Sequence, residues 1–260
     1  KEEIVKKVSS RTKGILICNP SNPTGTIYTR NELKMLWDMA KQYGLFLLSD
    51  EVYREFAYDG KNSISLLSFQ SDNLIVLDSL SKRYSLCGAR LGCIVTRNKE
   101  LIKLVLKFGQ ARLSAGFIDQ LMASNLTNLP NNYFDETRDE YQARRDVVLR
   151  GLNQIPGVVC QKPEGAFYSI AKLPVKSAED FAKWLLTDFN DKDETIMVAP
   201  AAGFYATPSL GKDEIRIAYV INQKDLKRSM EILKKALEKY SRCHSERSEE
   251  SLANASTDKL

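Results

Sequence analysis

The sequence predicts an α/β fold built on a largely parallel sheet, followed by a smaller α+β part. Two observations carry this. Short apolar runs that end in turn residues alternate with a helix-period stretch in the first half, and shorter strands flanked by helices fill the second. The chain has 260 residues, 43% hydrophobic and 27% charged, which is room for one large domain or two modest ones.

Gly14 to Cys18 is apolar and stops at Asn19-Pro20, as a buried parallel strand would. Thr29-Arg30-Asn31-Glu32 has the spacing of a capping box. Behind it Leu33, Leu36, Trp37 and Ala40 share one helical face, and Gly44 supplies a stop. Leu45 to Leu48 and Leu74 to Leu77 read as the second and third strands. Leu91 to Val95 read as a fourth, for which an antiparallel direction is open. A charged helix is expected over residues 132–153, with a domain boundary near residue 130. Short strands then follow at 158–161 and 166–170, a helix at 178–186, and strands at 196–198 and 215–220. A final helix carries Leu226, Met230, Leu233 and Leu237. The expected organisation is therefore 1–130, 131–240 and a disordered, periodicity-free tail over 241–260.

Composition excludes several classes. No apolar run approaches the roughly 20 residues of a membrane span. The net charge of +5 is spread without a basic stripe, so neither nucleic acid nor membrane is an expected partner. Five scattered cysteines without a CxxC pair, and a single histidine, leave no metal site and fit reduced thiols in a cytoplasm. Lys1 to Val8 is charged and amphipathic without an initiator Met, and reads as the middle of a helix in a truncated chain.

Chemistry gathers at the carboxyl ends of the predicted strands, the edge where open α/β sheets bind ligands. The first delivers Asn19-Pro20-Ser21-Asn22-Pro23-Thr24-Gly25. The second delivers Ser49-Asp50-Glu51-Val52-Tyr53, and the third Asp78-Ser79-Leu80-Ser81-Lys82 with Arg90 eight residues on. Each piece alone has an ordinary explanation. The Asn-Pro loop is made of good turn formers, Asp50 could cap a helix, and an isolated lysine is usually a surface one.

Taken together, and in order, these motifs resemble the class I/II pyridoxal-phosphate aminotransferases of fold type I, the aspartate aminotransferase group. Gly88-Ala89-Arg90-Leu91-Gly92 and Glu214-Ile215-Arg216-Ile217-Ala218 complete the pattern, over about residues 1 to 240. The resemblance implies an incomplete fold-type-I large domain, mostly parallel, plus a small C-terminal domain. The family's N-terminal part would precede Lys1, with its phosphate-holding glycine turn and ring-stacking aromatic.

It implies too that pyridoxal 5'-phosphate forms a Schiff base with Lys82, which then carries the proton between substrate and cofactor. Asp50 would face the pyridine nitrogen. Asn22 and Tyr53 would donate to the phenolic oxygen, with Asn22–Pro23 often cis. Ser79 and Arg90 would hold the phosphate, Ser81 being a weaker candidate, and Arg216 would clamp the substrate α-carboxylate with Asn22 beside it. Arg112 is a softer candidate for a second carboxylate, and Tyr168 is expected to pack. The implied activity is amino-group transfer between an amino acid and a 2-oxo acid, aspartate among them, in a cytoplasmic homodimer. A lyase or decarboxylase of the same fold, the ligand-sensing domain of a transcriptional regulator, and an inactive remnant remain open beside it.

Overall fold

A computed structural model describes the backbone of residues 1–257 and the side chains of residues 1–242. Much of the expected tail, 241–260, thus falls on residues whose side chains lie outside those described. The chain divides into two compact units. The first comprises Lys1–Glu140 with Glu164–Ala166, and the second comprises Tyr141–Pro163 with the residues from Phe167 onward.

The first unit begins with a short helix, α1 (Glu2–Val5), then β1 (Gly14–Cys18), α2 (Arg30–Gln42), β2 (Phe46–Asp50) and β3 (Leu74–Ser79). After these come the one-turn α3 (Leu80–Arg83), β4 (Gly92–Thr96), α4 (Lys99–Arg112) and α5 (Phe117–Ser124). The sheet order is β1-β2-β3-β4; the first two ladders are parallel and the last antiparallel. Helix α2 forms because Thr29 and Glu32 complete both bonds of the capping box. Its Leu33, Leu36, Met39 and Ala40 are buried in one cluster with Ile17, Leu47, Leu74 and Val76 of the sheet and with Leu45 and Leu66 from the segments that flank it. Burying such side chains stabilises by roughly 1.5–3 kcal/mol each. On α4 and α5 no residue is buried, and Leu104, Leu106, Phe108, Phe117 and Ile118 are exposed.

A 20-residue helix, α6 (Tyr133–Leu152), contains the division after Glu140. The second unit then adds β5 (Val159–Cys160), β6 (Tyr168–Lys172), α7 (Ala178–Thr187), β7 (Ala199–Pro200), β8 (Glu214–Ala218) and α8 (Gln223–Thr257). Its sheet runs β5-β6-β8-β7, antiparallel throughout. Phe181, Leu185, Leu226, Leu233 and Leu237 are buried in this unit. Arg145 is buried as well, its guanidinium bonded to Asp146 and to the Pro163 carbonyl.

Two expectations shift. The strand expected at 196–198 lies at Ala199–Pro200, where pairing with Arg216 and Ile215 becomes available, while Met197 points to solvent. The strand expected from Ala166 starts at Tyr168, because Ala166 takes a left-handed backbone (φ 56°) and its N–H donates to Phe56 O.

Candidate active site

Register places the functional segments. Cys18 pairs with Asp50, and Asp50 with Leu77, so the carboxyl ends of β1, β2 and β3 open on one edge. Because β4 is antiparallel, Gly92 pairs with Ser79 and the Gly88–Gly92 segment enters at that same edge. A Cβ at Gly92 would come 2.7 Å from the Asp78 carbonyl, so only glycine lets this turn close.

The loop after β1 is tied down by Asn19, which is fully buried. Its Nδ2 donates to Ile64 O at 3.1 Å, its Oδ1 accepts from Tyr28 N at 3.1 Å, and its own N–H donates to Asp50 O at 2.9 Å. Asn22 sits on this loop, and both Asn19–Pro20 and Asn22–Pro23 are cis. Residues 164–166 support the loop from the other side: the N–H groups of Glu164 and Gly165 both donate to Gly25 O. Nothing in the sequence marks that contact beyond Gly165, whose missing Cβ would meet Pro20 at 2.8 Å.

Tyr53 is buried behind Asp50 in sequence, and Glu51 is fully buried with Oε1 accepting from Leu66 N at 2.9 Å. Asp50 ends β2 half-buried, with Oδ1 accepting from Val52 N at 3.2 Å. Burial pushes its carboxyl up from the usual range, and the charge of Asp78 pushes the same way. The Val52 N–H and the charge of Lys82 oppose them. Lys82 itself lies half-buried on α3.

The other charges at this edge are paired off. Arg83 donates to both oxygens of Asp78 at 2.6 and 2.5 Å and lies 3.5 Å from Glu55. Arg54 lies 3.7 Å from Glu51, 3.5 Å from Glu55 and 3.8 Å from Asp78. Among the described residues, Asp50 and Lys82 have no ion-pair partner within 4.0 Å. The amine and the half-buried acid are the uncommitted groups of the cluster, a donor set that fits a pyridine aldehyde needing a lysine at one end and a carboxylate at the other. Sequence alone places Asp78 at the head of the third segment without a role and singles out neither Arg83 nor Arg54; the arginine directly after Lys82 is the one available signal.

Ser79 caps α3: its Oγ accepts from Ser81 N at 3.1 Å and lies 2.8 Å from Ser81 Oγ and 3.0 Å from Leu91 O. It lines a cleft of about 270 Å³ with Asp78, Arg83, Tyr84 and Gly92. Arg90 is exposed in a left-handed conformation (φ 52°) and donates to Cys87 O at 2.8 Å. It lines a separate cleft of about 170 Å³ with Arg112, Ser114 and Asp119. The two residues expected at the phosphate thus border different depressions, and neither lining includes Asp50 or Lys82.

A model of the family described as aminotransferase class I and II matches residues 1–233. The chain belongs to this family. Aspartate aminotransferase of Pyrococcus horikoshii is 30% identical over 244 residues, covering 91% of this chain and 59% of that protein. Among solved structures, the aromatic aminotransferase from Pyrococcus horikoshii superimposes with a TM-score of 0.79 at 27% identity, over 92% of this chain and 64% of that one. Alanine aminotransferase from Pyrococcus furiosus gives 0.80 at 29% identity, over 92% and 61%. The chain thus spans about six tenths of the length of such relatives. Class I and II aminotransferases use pyridoxal phosphate.

Arg216 belongs to the second unit, on β8, opposite Ile170 of β6 and Ala199 of β7. Its guanidinium lies over the rings of Tyr168 (4.7 Å) and Phe204 (5.1 Å), within cation–π reach of both. Tyr168 is buried and packs against Phe167. Among the described residues no helix is long and apolar enough to cross a membrane.

Proposed function

We propose that the protein transfers an amino group between an amino acid and a 2-oxo acid, using pyridoxal 5'-phosphate held through Lys82. The observation that carries this is the pairing pattern at the sheet edge, where among the described residues Glu51, Glu55 and Asp78 each have an arginine within 4.0 Å while Asp50 and Lys82 have no ion-pair partner. When bound, the cofactor supplies an aldehyde for an amine and a ring that takes up the electron pair left when a Cα–H bond breaks.

The chain's own groups do the rest. Lys82 Nζ provides the anchoring amine and afterwards takes and returns the Cα proton. Asp50 holds a proton on the ring nitrogen, its carboxylate desolvated enough to favour sharing one. Asn22 and Tyr53 donate toward the phenolic oxygen. Ser79 and Arg90 hold the phosphate, the arginine through its planar fork. Arg216 receives the substrate α-carboxylate.

The names of the relatives, aspartate aminotransferase among them, support aspartate as one substrate. The exposed apolar side chains of α4 and α5 support a homodimer that covers them, and free cysteines Cys18, Cys87, Cys93 and Cys160 support a reducing cytoplasm. The test is borohydride fixation of pyridoxal phosphate followed by peptide mass analysis. A pyridoxyl mass on the Lys82 peptide, lost in Lys82→Ala, supports the reading; undiminished label in Lys82→Ala refutes it.

A further inference from the structure

The placement of Lys82 poses a physical problem. Helix α3 is a single turn of four residues, Leu80–Arg83. One turn forms too few hydrogen bonds to hold its own orientation, so the direction of Lys82 has to be set from outside the turn. At its start the Ser79 hydroxyl accepts from Ser81 N, and Leu80 N donates to Leu91 O at 3.2 Å. At its end Arg83 is held twice. Its guanidinium nitrogen Nη2 bonds both oxygens of Asp78 on β3, and its carbonyl accepts from the Tyr133 hydroxyl at 3.3 Å.

Arg83 is an expensive residue for this job if stability were all that mattered. It is 8% exposed, and its Nε is buried without a hydrogen-bond partner. Buried ion pairs are weak stabilisers that apolar side chains of similar volume can often replace. What such side chains cannot replace is a direction. Successive helical residues are turned by about 100°, so fixing the Arg83 side chain onto β3 fixes the rotation of the turn and with it the exit of Lys82. The acid that anchors Arg83 also bears electrostatically on Asp50.

Resting on the reading of Lys82 as the cofactor amine, we propose that Asp78 and Arg83, with Tyr133 on the Arg83 carbonyl, form a clamp that positions Lys82 against Asp50. They are positioning residues and donate nothing to the cofactor. The same clamp ties Asp78 to an arginine and leaves Lys82 as the base whose charge bears on Asp50.

The protein is loaded with pyridoxal phosphate, and two quantities are followed. One is the rate at which borohydride-fixed pyridoxyl mass appears on Lys82; the other is the pH midpoint of the visible band of the bound cofactor. Arg83→Lys keeps the charge and should slow labelling on the order of tenfold, with little movement of the midpoint. Tyr133→Phe, which exposes no charge and so keeps the fold safe, should slow it by a smaller factor, roughly twofold. Asp78→Asn and Arg83→Gln should move the midpoint in opposite directions. Each alters one member of the ion-pair network at this edge, which comprises Glu51, Arg54, Glu55, Asp78 and Arg83 and lies beside Asp50, on which the charges of Asp78 and Lys82 act. Wild-type labelling rates in both Arg83→Lys and Tyr133→Phe, with unmoved midpoints in the other pair, would overturn the clamp. Label that persists in Lys82→Ala would instead overturn the reading beneath it.

Discussion

Asn19→Ala is expected to destabilise the first unit by about 3 kcal/mol. The alanine leaves the Tyr28 N–H and the Ile64 carbonyl, both satisfied by the buried amide at 3.1 Å, without their partner. A buried polar group left unpaired costs roughly 1–3 kcal/mol, and two such groups give about 2–6, with local relaxation favouring the lower half. The assay uses the tryptophans, of which the chain has two. Trp37 lies in the first unit against Phe69 and Trp184 in the second against Phe181, so Trp184→Phe makes Trp37 the reporter of the first. With a urea slope of about 2 kcal/mol/M for a unit of this size, 3 kcal/mol moves the midpoint by roughly 1.5 M. Ser63→Ala, which removes only a 3.4 Å contact to the Asn19 carbonyl, should move it by less than about 0.3 M. Equal shifts for the two variants would refute the idea that the amide of Asn19, and not loop composition, holds the Asn22 segment in place.

Three further outcomes are expected. Burial pushes the Cys18 thiol up to about 11, so at pH 8 roughly one molecule in a thousand carries the thiolate; iodoacetamide should modify the exposed Cys87 well before Cys18, by peptide mass. Asp50 binds its proton more tightly folded than unfolded. Its stabilising share is therefore full at acid pH and is lost as pH rises from near 3.8 through the higher folded value, and Asp50→Asn should gain stability at pH 7 but not at pH 3. Because the group is half-exposed, solvent screening holds that gain to around 0.5 kcal/mol, read as a urea-midpoint difference between the two pH values, while cofactor retention falls. Arg216→Lys keeps a cation but loses the fork and the ring stacking, so KM for the amino acid should rise on the order of tenfold while cofactor affinity holds; equal losses in both would exclude a carboxylate clamp.

How much of this was legible depends on what each feature needs. The capping box of α2 and the apolar runs of β1, β2 and β3 are local, and the sequence states them directly. The direction of β4 is not local. An apolar run carries no sign for parallel or antiparallel, and only pairing of Gly92 with Ser79 settles it. Met197 shows the same limit: an apolar triplet at 196–198 resembles a strand, but the ladder is set by what β8 offers opposite Arg216. Asp50 and Lys82 were legible because their motifs are short and ordered along the chain. The Asp78–Arg83 pair was not, since its two members meet only once the Ser79-capped turn has folded. Residues 164–166 were hidden for a similar reason, the Gly25 carbonyl being far off in sequence.

The charge pattern at the sheet edge also bears on why so many ionisable groups sit together in one place. A lysine beside an acid, in isolation, would form an ordinary ion pair and hold its proton tightly. Here four acids, Asp50, Glu51, Glu55 and Asp78, lie near three bases, Arg54, Lys82 and Arg83. Arginine stays charged at any working pH, so the two arginines commit themselves to Glu51, Glu55 and Asp78 permanently. Lysine is the one base of the three that can give up its proton, and Asp50 is the acid left without an arginine. The two arginines are thus shared among three carboxylates, and the groups outside that network are the acid and the amine that the proposed reaction would use. Exchanging Lys82 with Arg83 in sequence would keep every formal charge and still undo this, because the group tied to Asp78 would then be the one able to deprotonate.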